Sequence, residues 1–350
     1  MPRKPSSKKE STPTSTEGTQ PSQLLAALAS LRPGLANNGM VEQGSCFLFS
    51  PGMLAANNDF ISITIPFEHG LEQIMAVQGE ELYKLVGKLS CPTIKLEANK
   101  DGAELLLIGD RVCAGLSSLA DIQEPEIPEI KKWSKLPEGF IAACSLALFS
   151  VSSDMTKPYL TCLWVAGDTV GSSDNYRITM VNMAEEVPSP FLLPGKAAEA
   201  LVKHNPTHYH LDKNWLHFKD NASGMLFSVR RVEAEIPDVS DFLEVGGEQI
   251  ELPAELAEAI DRSKLMTEGD HVIDLRVSLS LGDGQLVCRG EKDLGWIEET
   301  MECEYEGDPI NLVMNPMFLA QILERTSLIT IGENSCLFEE DGFTHVVALS

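Results

Sequence analysis

The sequence predicts an α+β fold of three similar domains, each made of two units in which one helix is followed by about four antiparallel strands. Three observations support this fold class. Six segments with helical apolar spacing recur roughly every 60 residues along the chain. Short β-branched stretches bounded by Gly, Asn and Asp lie between them. Glu-Ile-Pro-Glu at 126–129 returns as Glu-Ile-Pro-Asp at 235–238.

Each predicted helix carries apolar residues three or four positions apart, as one buried helix face requires. The six helices are expected to begin near Ser22, Glu80, Pro137, Pro194, Pro253 and Pro316. Proline stands at four of these starts, and we expect it in the first helical turn, where its missing N–H costs no hydrogen bond.

The stretches between the helices predict antiparallel strands joined by tight turns. Examples are residues 60–66, 93–97, 105–109, 159–166, 226–229, 275–281 and 344–349. Proline in the repeated tetrapeptide ends sheet pairing, so the repeat marks domain ends. We therefore predict a disordered basic tail over 1–20 and domains over 21–129, 136–243 and 248–350. A head-to-tail contact between two such chains closes a six-domain ring if the rotation fits.

The eight cysteines predict reduced thiols in a cytoplasmic protein. None forms C-x-x-C or a Cys/His spacing suited to zinc, and most lie in apolar runs where a thiol acts as a small hydrophobe. We expect no metal, no cofactor and no membrane association, since no run approaches the roughly 18 apolar residues of a spanning helix.

The net charge of −25 argues against a protein that grips nucleic acid through clustered cations. The objection is weaker for a ring, which topology retains on a duplex. Cations concentrate in the predicted helices and acids in turns and strands, which favours a mildly positive helical lining. The alternative is that Lys and Arg merely prefer the last turns of helices. The cationic set is Arg32, Lys84, Lys88, Lys196, Lys203, Arg262, Lys264 and Arg325.

Catalytic patterns are scarce, and we expect no enzyme. No phosphate-binding loop, nucleophile elbow or H-E-x-x-H occurs. His208 and His210 could place two ligands on one face of a strand, but ordinary polar strand residues are the preferred interpretation. The glutamates between Glu298 and Glu306 are better explained as a solvated edge strand than as a cation site.

Four short stretches carry a resemblance to the bacterial DNA polymerase III beta subunit, the sliding clamp, over about residues 22–350. Residues 172–178 (Ser-Ser-Asp-Asn-Tyr-Arg-Ile) are similar to the family's A-T-D-G-[HY]-R-L. Residues 191–197 resemble [VF]-[IL]-[IV]-P-[RG]-K-[AG], 236–238 resemble F-P-D, and 314–319 resemble F-N-x-x-Y-L. The resemblance implies a homodimeric ring that encircles double-stranded DNA and serves a DNA polymerase and a clamp loader as a processivity factor in replication.

In that family a groove between the second and third domains takes short linear peptides from partners. The resemblance implies that apolar residues here would take peptide side chains and that Arg177 would fix a peptide carbonyl or acid. The alternative is ordinary domain packing, with Arg177 in an internal salt bridge. The implied lining is Leu160, Ser173, Asn175, Tyr176, Arg177, Ile178, Pro237, Phe242, Asn315, Phe318, Val346 and Ala348.

The resemblance further implies that the cationic set faces DNA and that Ala114 and Leu116 of one chain meet Leu265 and Met266 of the next. The chain departs from the family at four places. Asn175 replaces a glycine, Asp241 replaces a basic residue, Ala114 stands where a larger apolar residue is common, and the C-terminus ends differently. An acidic scaffold that binds proteins without encircling DNA is the main alternative, and a hydrolase using the histidines is a third.

Overall fold

The computed structural model describes residues 18–36, 42–124, 128–269 and 274–349. The six predicted helices are confirmed, each beginning within three residues of its expected start, and a one-turn helix (α5) is added. The helices are α1 Pro21–Leu31, α2 Gly79–Val86, α3 Phe140–Ala147, α4 Gly195–Leu201, α5 Ser240–Leu243, α6 Leu256–Ser263 and α7 Pro316–Leu323.

Short antiparallel strands occupy the stretches between the helices, as predicted. The strands are β1 Cys46–Ser50, β2 Met53–Asn57, β3 Ile61–Pro66, β4 Met75–Gln78, β5 Lys95–Ala98, β6 Glu104–Ile108, β7 Cys113–Ser117, β8 Ser134–Lys135, β9 Cys162–Ala166, β10 Thr169–Ser173, β11 Arg177–Asn182, β12 Phe191–Pro194, β13 His208–Leu211, β14 Trp215–Lys219, β15 Leu226–Arg230, β16 Glu248–Glu251, β17 Val277–Gly282, β18 Gln285–Lys292, β19 Gly295–Glu302, β20 Ile310–Met314, β21 Leu328–Ile331, β22 Ser335–Glu340 and β23 Phe343–Ala348.

The prolines sit differently from the prediction. Only Pro316 of the four occupies the first helical position. Pro194 is the residue before α4, and its extended backbone ends β12 instead. The carbonyls of Pro137 and Pro253 accept hydrogen bonds from the first residues of α3 and α6, so these prolines form the turn that precedes each helix.

The chain forms two compact units, one of residues 1–133 with 207–230 and the other of 134–206 with 231–350. In the first unit α1 packs against α2, and the leucines of α1 at 24, 28 and 31 are fully buried. Its larger sheet has the order β4-β1-β2-β3-β15-β14-β13, and its smaller sheet the order β5-β6-β7. Thr19 bridges to Ile94 beside β5, whereas residues 1–17 of the predicted tail lie outside the described residues.

In the second unit α3 packs against α4 and α6 against α7. One sheet has the order β12-β9-β10-β11-β23-β22-β21-β16, and the other the order β19-β18-β17-β20. The helices cover one face of each sheet, so the buried core lies between helices and strands.

Two strand pairings join sequence-distant halves of these sheets. We call β3 with β15 the first seam and β11 with β23 the second seam. Both share one backbone feature at the hairpin end: Arg230 N donates to Phe60 O at 2.8 Å, and Ala348 N donates to Tyr176 O at 2.8 Å. Each larger sheet joins strands from two predicted domains. The two compact units therefore do not test the predicted domain boundaries, which stay a prediction.

Candidate peptide-binding groove

The turn between β10 and β11 is held by its own side chains. Asp174 Oδ1 accepts hydrogen bonds from the backbone N–H groups of Tyr176 and Arg177 at 3.1 and 3.2 Å. Ser173 Oγ accepts one from Asn175 N at 3.1 Å. Ser and Asp form such local turns readily because a short polar side chain mimics the backbone carbonyl. The turn therefore presents Tyr176 at a fixed place, with its side chain 48% exposed.

Asn175 has a φ of 76°, in the left-handed region that side chains rarely adopt. The resemblance places a glycine at this position. Glycine suits it because it adopts a positive φ without steric cost. Asparagine is among the residues that tolerate this conformation best. Lys157 Nζ donates to Asn175 Oδ1 at 3.3 Å, which ties the turn to the segment before β9. The departure from the family pattern thus keeps the turn geometry.

Arg177 is bound internally on every side of its guanidinium. Its Nε donates to Asp174 Oδ2 at 3.1 Å, Nη1 to Gln321 Oε1 at 2.9 Å, and Nη2 to the carbonyl of Phe149. The side chain is 7% exposed and lies 3.7 Å over the ring of Phe318. Burial lowers the pKa of Arg177 and Asp174 opposes that shift, but an arginine stays charged. The geometry supports a positioning role rather than direct capture of a peptide carbonyl.

Asn315 and Phe318 belong to the same internal arrangement. Asn315 is the N-cap of α7, where its Oδ1 accepts from the backbone N–H of Met317 at 2.9 Å and of Phe318 at 3.3 Å. Both Asn315 and Phe318 are buried. An N-cap fixes the start of a helix, so Asn315 holds Phe318 under Arg177. Sequence reasoning missed Met317, which is 37% exposed beside this cap.

The other predicted residues lie on the opposite face of the sheet. Successive side chains of a strand point to opposite faces, so Ile178 points away from Arg177. Ile178 pairs with Val346 of β23, which pairs with Leu337 of β22. Ser173 pairs with Ile178 and shares its face. Val346 and Leu337 are buried and Ile178 is half-buried, which gives an apolar row across the second seam.

A connecting segment borders this apolar row. Val232, Ile236 and Val239 pack against a buried cluster that contains Leu160 and Trp164. Pro237 lies within that segment and is half-buried. The one-turn helix α5 follows and packs against β23, and its Phe242 is 65% exposed.

The structure therefore divides the predicted lining into two groups on opposite faces. Leu160, Ser173, Ile178, Pro237, Phe242 and Val346 gather on the face away from the helices, with Asn175, Tyr176 and exposed Ala348 at its rim. Arg177, Asn315 and Phe318 lie on the helix side and support the turn.

Behind the turn, a buried polar chain crosses the second seam. Thr179 Oγ1 lies 2.6 Å from Ser150 Oγ and 2.9 Å from His345 Nδ1. His345 is fully buried, and its Nε2 has no hydrogen-bond partner among the described residues. Burial, aided by the charge of Arg177, lowers the pKa of His345 to about 3. The imidazole therefore stays neutral at ordinary pH.

Three members of the cationic set are paired with carboxylates. Arg32 contacts Glu80 at 2.7 Å, Arg262 contacts Glu299 at 2.7 Å, and Lys264 contacts Asp261. These carboxylates offset part of the positive charge that the sequence predicts for the helical lining. The other members are exposed and make no ion pair among the described residues; they are Lys84, Lys88, Lys196, Lys203 and Arg325.

The residues implied in chain closure lie on one open sheet edge and on one turn. Ala114 and Leu116 are half-buried on β7, which pairs only with β6 among the described strands. Leu265, 67% exposed, and Met266 form a short turn after α6 that packs against β18 and β19. Lys292 Nζ donates to Leu265 O at 2.7 Å and fixes that turn.

His217 is buried in a polar row, whereas His208 and His210 of β13 are half-buried. His217 Nδ1 lies 2.7 Å from Ser228 Oγ, and its Nε2 lies 3.1 Å from Asp212 Oδ2. These are the three residue types of a hydrolase triad, but the ring nitrogens are exchanged, because Nδ1 rather than Nε2 faces the serine. In addition, Ser228 is mid-strand and 5% exposed, so its hydroxyl is not presented to a substrate. Burial lowers the pKa of His217, although Asp212 opposes that shift.

The described residues contain no group of three or more His, Cys, Asp or Glu side chains arranged to hold a metal ion. In the same part of the chain, every helix is too short or too polar to cross a bilayer.

No protein-family profile matches the chain. Its structure is similar to that of the DNA polymerase sliding clamp from Bacillus subtilis, with a TM-score of 0.79 at 17% identity, covering 95% of this chain and 98% of the other. The DNA polymerase III beta subunit from Thermotoga maritima gives 0.80 at 16% identity, with the same coverage. The sliding clamp from Bartonella birtlesii bound to griselimycin gives 0.81 at 17% identity, again with 95% and 98% covered. These likenesses confirm the predicted fold class: the chain has the α+β DNA-clamp fold of bacterial DNA polymerase III beta subunits.

Proposed function

We propose that the chain is a sliding clamp, in which two copies close head to tail into a ring around duplex DNA. The proposal retains domains over 21–129, 136–243 and 248–350 and a polymerase tethered through the groove at the second seam. It assigns no catalysis and a cytoplasmic location.

The observation that carries the proposal is a pair of complementary open edges. The first seam joins β3 to β15 and the second joins β11 to β23. Each links the last strand of a four-strand set to the last of three consecutive hairpin strands, β13–β15 or β21–β23. The corresponding strands of the two smaller sheets are β19, which ends a four-strand set, and β7, which ends a three-strand set. Among the described strands, neither is joined to another set in this way. They belong to sheets near opposite ends of the chain. A third seam between β19 of one copy and β7 of another would leave neither edge open.

The second seam supports peptide capture through its apolar face. Leu160, Ile178 and Val346 supply a floor, while Tyr176 and Phe242 stand exposed at the rim. Apolar anchors with a few placed polar groups suit an extended peptide. A solved clamp of this fold binds griselimycin, which makes that molecule a sensible competitor in a binding assay.

The acidic composition is compatible with a ring. Most of the affinity of a DNA-gripping protein comes from phosphate contacts, and five exposed cations in or just after the helices supply few of these. A closed ring needs only a surface that does not repel the duplex strongly. We predict that the protein binds linear DNA with low, salt-sensitive affinity and is retained on circular DNA.

The test uses topology directly. The protein is mixed with nicked circular duplex, cross-linked at the β19–β7 contact, and passed through gel filtration in high salt. Co-elution with circular DNA and release after a single restriction cut support the clamp. Equal loss from circular and linear DNA would favour the acidic scaffold that binds proteins without encircling DNA.

Peptide capture is tested separately. A fluorescein-labelled decapeptide selected from a random displayed library is titrated with the protein, and griselimycin competes for the site. Loss of binding in Phe242→Ala, with Phe60→Ala at the first seam as an exposed aromatic control, supports the groove. Unchanged affinity in Phe242→Ala and in Tyr176→Ala would remove the groove assignment without touching the ring.

A further inference from the structure

Trp296 lies exposed on the open edge strand β19. Its side chain is 58% exposed, and Leu294 in the adjoining turn is 90% exposed. Large apolar groups at an unpaired sheet edge favour association with another strand, which proteins usually prevent with charges. The guanidinium of Arg289 lies 4.8 Å over the indole ring and also pairs with Glu291 and Glu298. The indole is therefore held in place before any partner arrives.

The second seam supplies a register for the contact. In it, the first paired residue after the β10–β11 turn, Arg177, lies opposite Val347 of β23. Gly295 lies as far from the centre of the β18–β19 hairpin as Arg177 lies from the centre of the β10–β11 hairpin. Leu116 likewise occupies in the β6–β7 hairpin the position that Val347 has in the β22–β23 hairpin. The register of the second seam therefore places Gly295 opposite Leu116. Trp296 then lies opposite Gly115.

The two faces of the strands agree with this register. Ala114 and Leu116 pair with fully buried Leu107 and Leu105, so they face the helix side of the sheet. On β19 the helix side carries Ile297 and Glu299, whose partners on β18 are Gly290 and buried Cys288. Pairing Trp296 with Gly115 keeps helix-side residues opposite helix-side residues. A shift by one residue would reverse every side chain.

The outer positions of β7 leave room for the indole. Cys113, Gly115 and Ser117 are small and exposed. An aromatic side chain opposite a strand glycine covers backbone that the glycine leaves bare, and such pairs stabilise sheets. We propose that Trp296 of one copy covers Gly115 of the other and locks the third seam, offsetting the small Ala114 on the helix side. This inference rests on the proposed ring and names the contact that closes it.

Cysteine cross-linking tests the register. In the same register Glu298 lies opposite native Cys113, and directly opposed residues of antiparallel strands have Cα atoms about 4.5–5.5 Å apart, within disulfide range. Oxidation of Glu298→Cys with copper phenanthroline should give a covalent dimer. The same variant with Cys113→Ser should not, nor should Thr300→Cys two residues farther along the edge. Equal cross-linking of Thr300→Cys, or none with Glu298→Cys in a dimeric protein, would overturn the register.

Sedimentation equilibrium tests the indole itself. Loss of a central aromatic anchor raises a dissociation constant about 30-fold, and a two-junction ring loses two of them, so Trp296→Ala should raise it roughly 10³-fold. Met155→Ala, 74% exposed and remote from either edge strand in sequence, is the matched control. A monomeric wild-type protein would overturn the ring. A dimer equally stable in wild type and Trp296→Ala would leave the ring standing and overturn this inference alone.

Discussion

Replacing Arg177 should destabilise the fold around the groove before it affects any peptide contact. Three protein acceptors bind its guanidinium, and Asp174, its charged partner, is itself only 12% exposed. Removing one partner of a buried ion pair leaves the other charge uncompensated, at a cost of about 3–5 kcal/mol. Since Asp174 keeps its bonds to two backbone N–H groups, the lower end of that range is expected for Arg177→Ala.

Two measurements check this expectation. Urea unfolding followed by circular dichroism should shift to a lower midpoint, and hydrogen exchange should accelerate at the amides of Tyr176 and Arg177, which Asp174 holds. Arg325→Ala, an exposed arginine, is the control and should change stability by less than about 0.5 kcal/mol. Arg177→Lys should not rescue, because a single ammonium cannot reach three separated acceptors. Unchanged stability with weakened peptide binding would refute the positioning role and restore direct capture.

Three further predictions concern the turn, the buried histidine and the rim. Asn175→Gly should leave stability unchanged or slightly higher, whereas Asn175→Ala should cost about 1 kcal/mol because of the positive φ, as urea midpoints would show. His345 has a folded pKa of about 3, below its unfolded value, so its contribution to the free energy of unfolding is fully present above about pH 6.5. That free energy falls by up to about 1.4 kcal/mol per pH unit as the pH drops towards 3. His345→Gln should flatten this slope when the urea midpoint is measured as a function of acid pH. Tyr176→Ala should weaken the selected peptide about 10-fold with no change in sedimentation, and an equal loss of dimer would contradict its assignment to the rim.

Much of the fold was accessible from the sequence because it depends on repetition. Helical apolar spacing survives wherever one face of a helix covers a sheet, and six occurrences at a common interval predict the architecture more strongly than any single helix does. Helix starts were less accessible. Pro137 and Pro253 were expected inside their helices, yet proline also suits the turn before a helix, and local sequence does not distinguish the two positions.

The candidate site was predicted as a set of residues but not as two faces. Arg177 and Ile178 are neighbours in sequence, and strand alternation sends them to opposite sides of the sheet. Which side carries the helices depends on tertiary packing, so the internal role of Arg177 was visible only in its contacts with Gln321 and Phe149. Met317 and Trp296 carried no motif signal. Their exposure, at a cap and at an open edge, is seen only in the structure.

A repeated fold could offer one groove at each seam, yet we expect only one groove per chain. A comparison of the first and second seams gives the reason. Both seams share the same hairpin-end hydrogen bond and an exposed aromatic residue, Phe60 or Tyr176. Their outer rows differ in chemistry. At the second seam Ile178, Val346 and Leu337 lie in line, whereas the first seam has Ser62, Ser228 and His217 at the matching positions.

The polar row at the first seam is already satisfied within the chain. His217 bonds both Ser228 and Asp212, so an apolar peptide side chain placed there would bury polar groups without gaining an apolar contact. At the second seam the same placement removes apolar surface on both partners from water. Repetition thus supplies the strand geometry at each seam, and the side chains on one face would decide which seam takes the proposed peptide. The triad-like combination of Asp212, His217 and Ser228 is then explained by the need to fill a polar row in a sheet, with no catalytic role required.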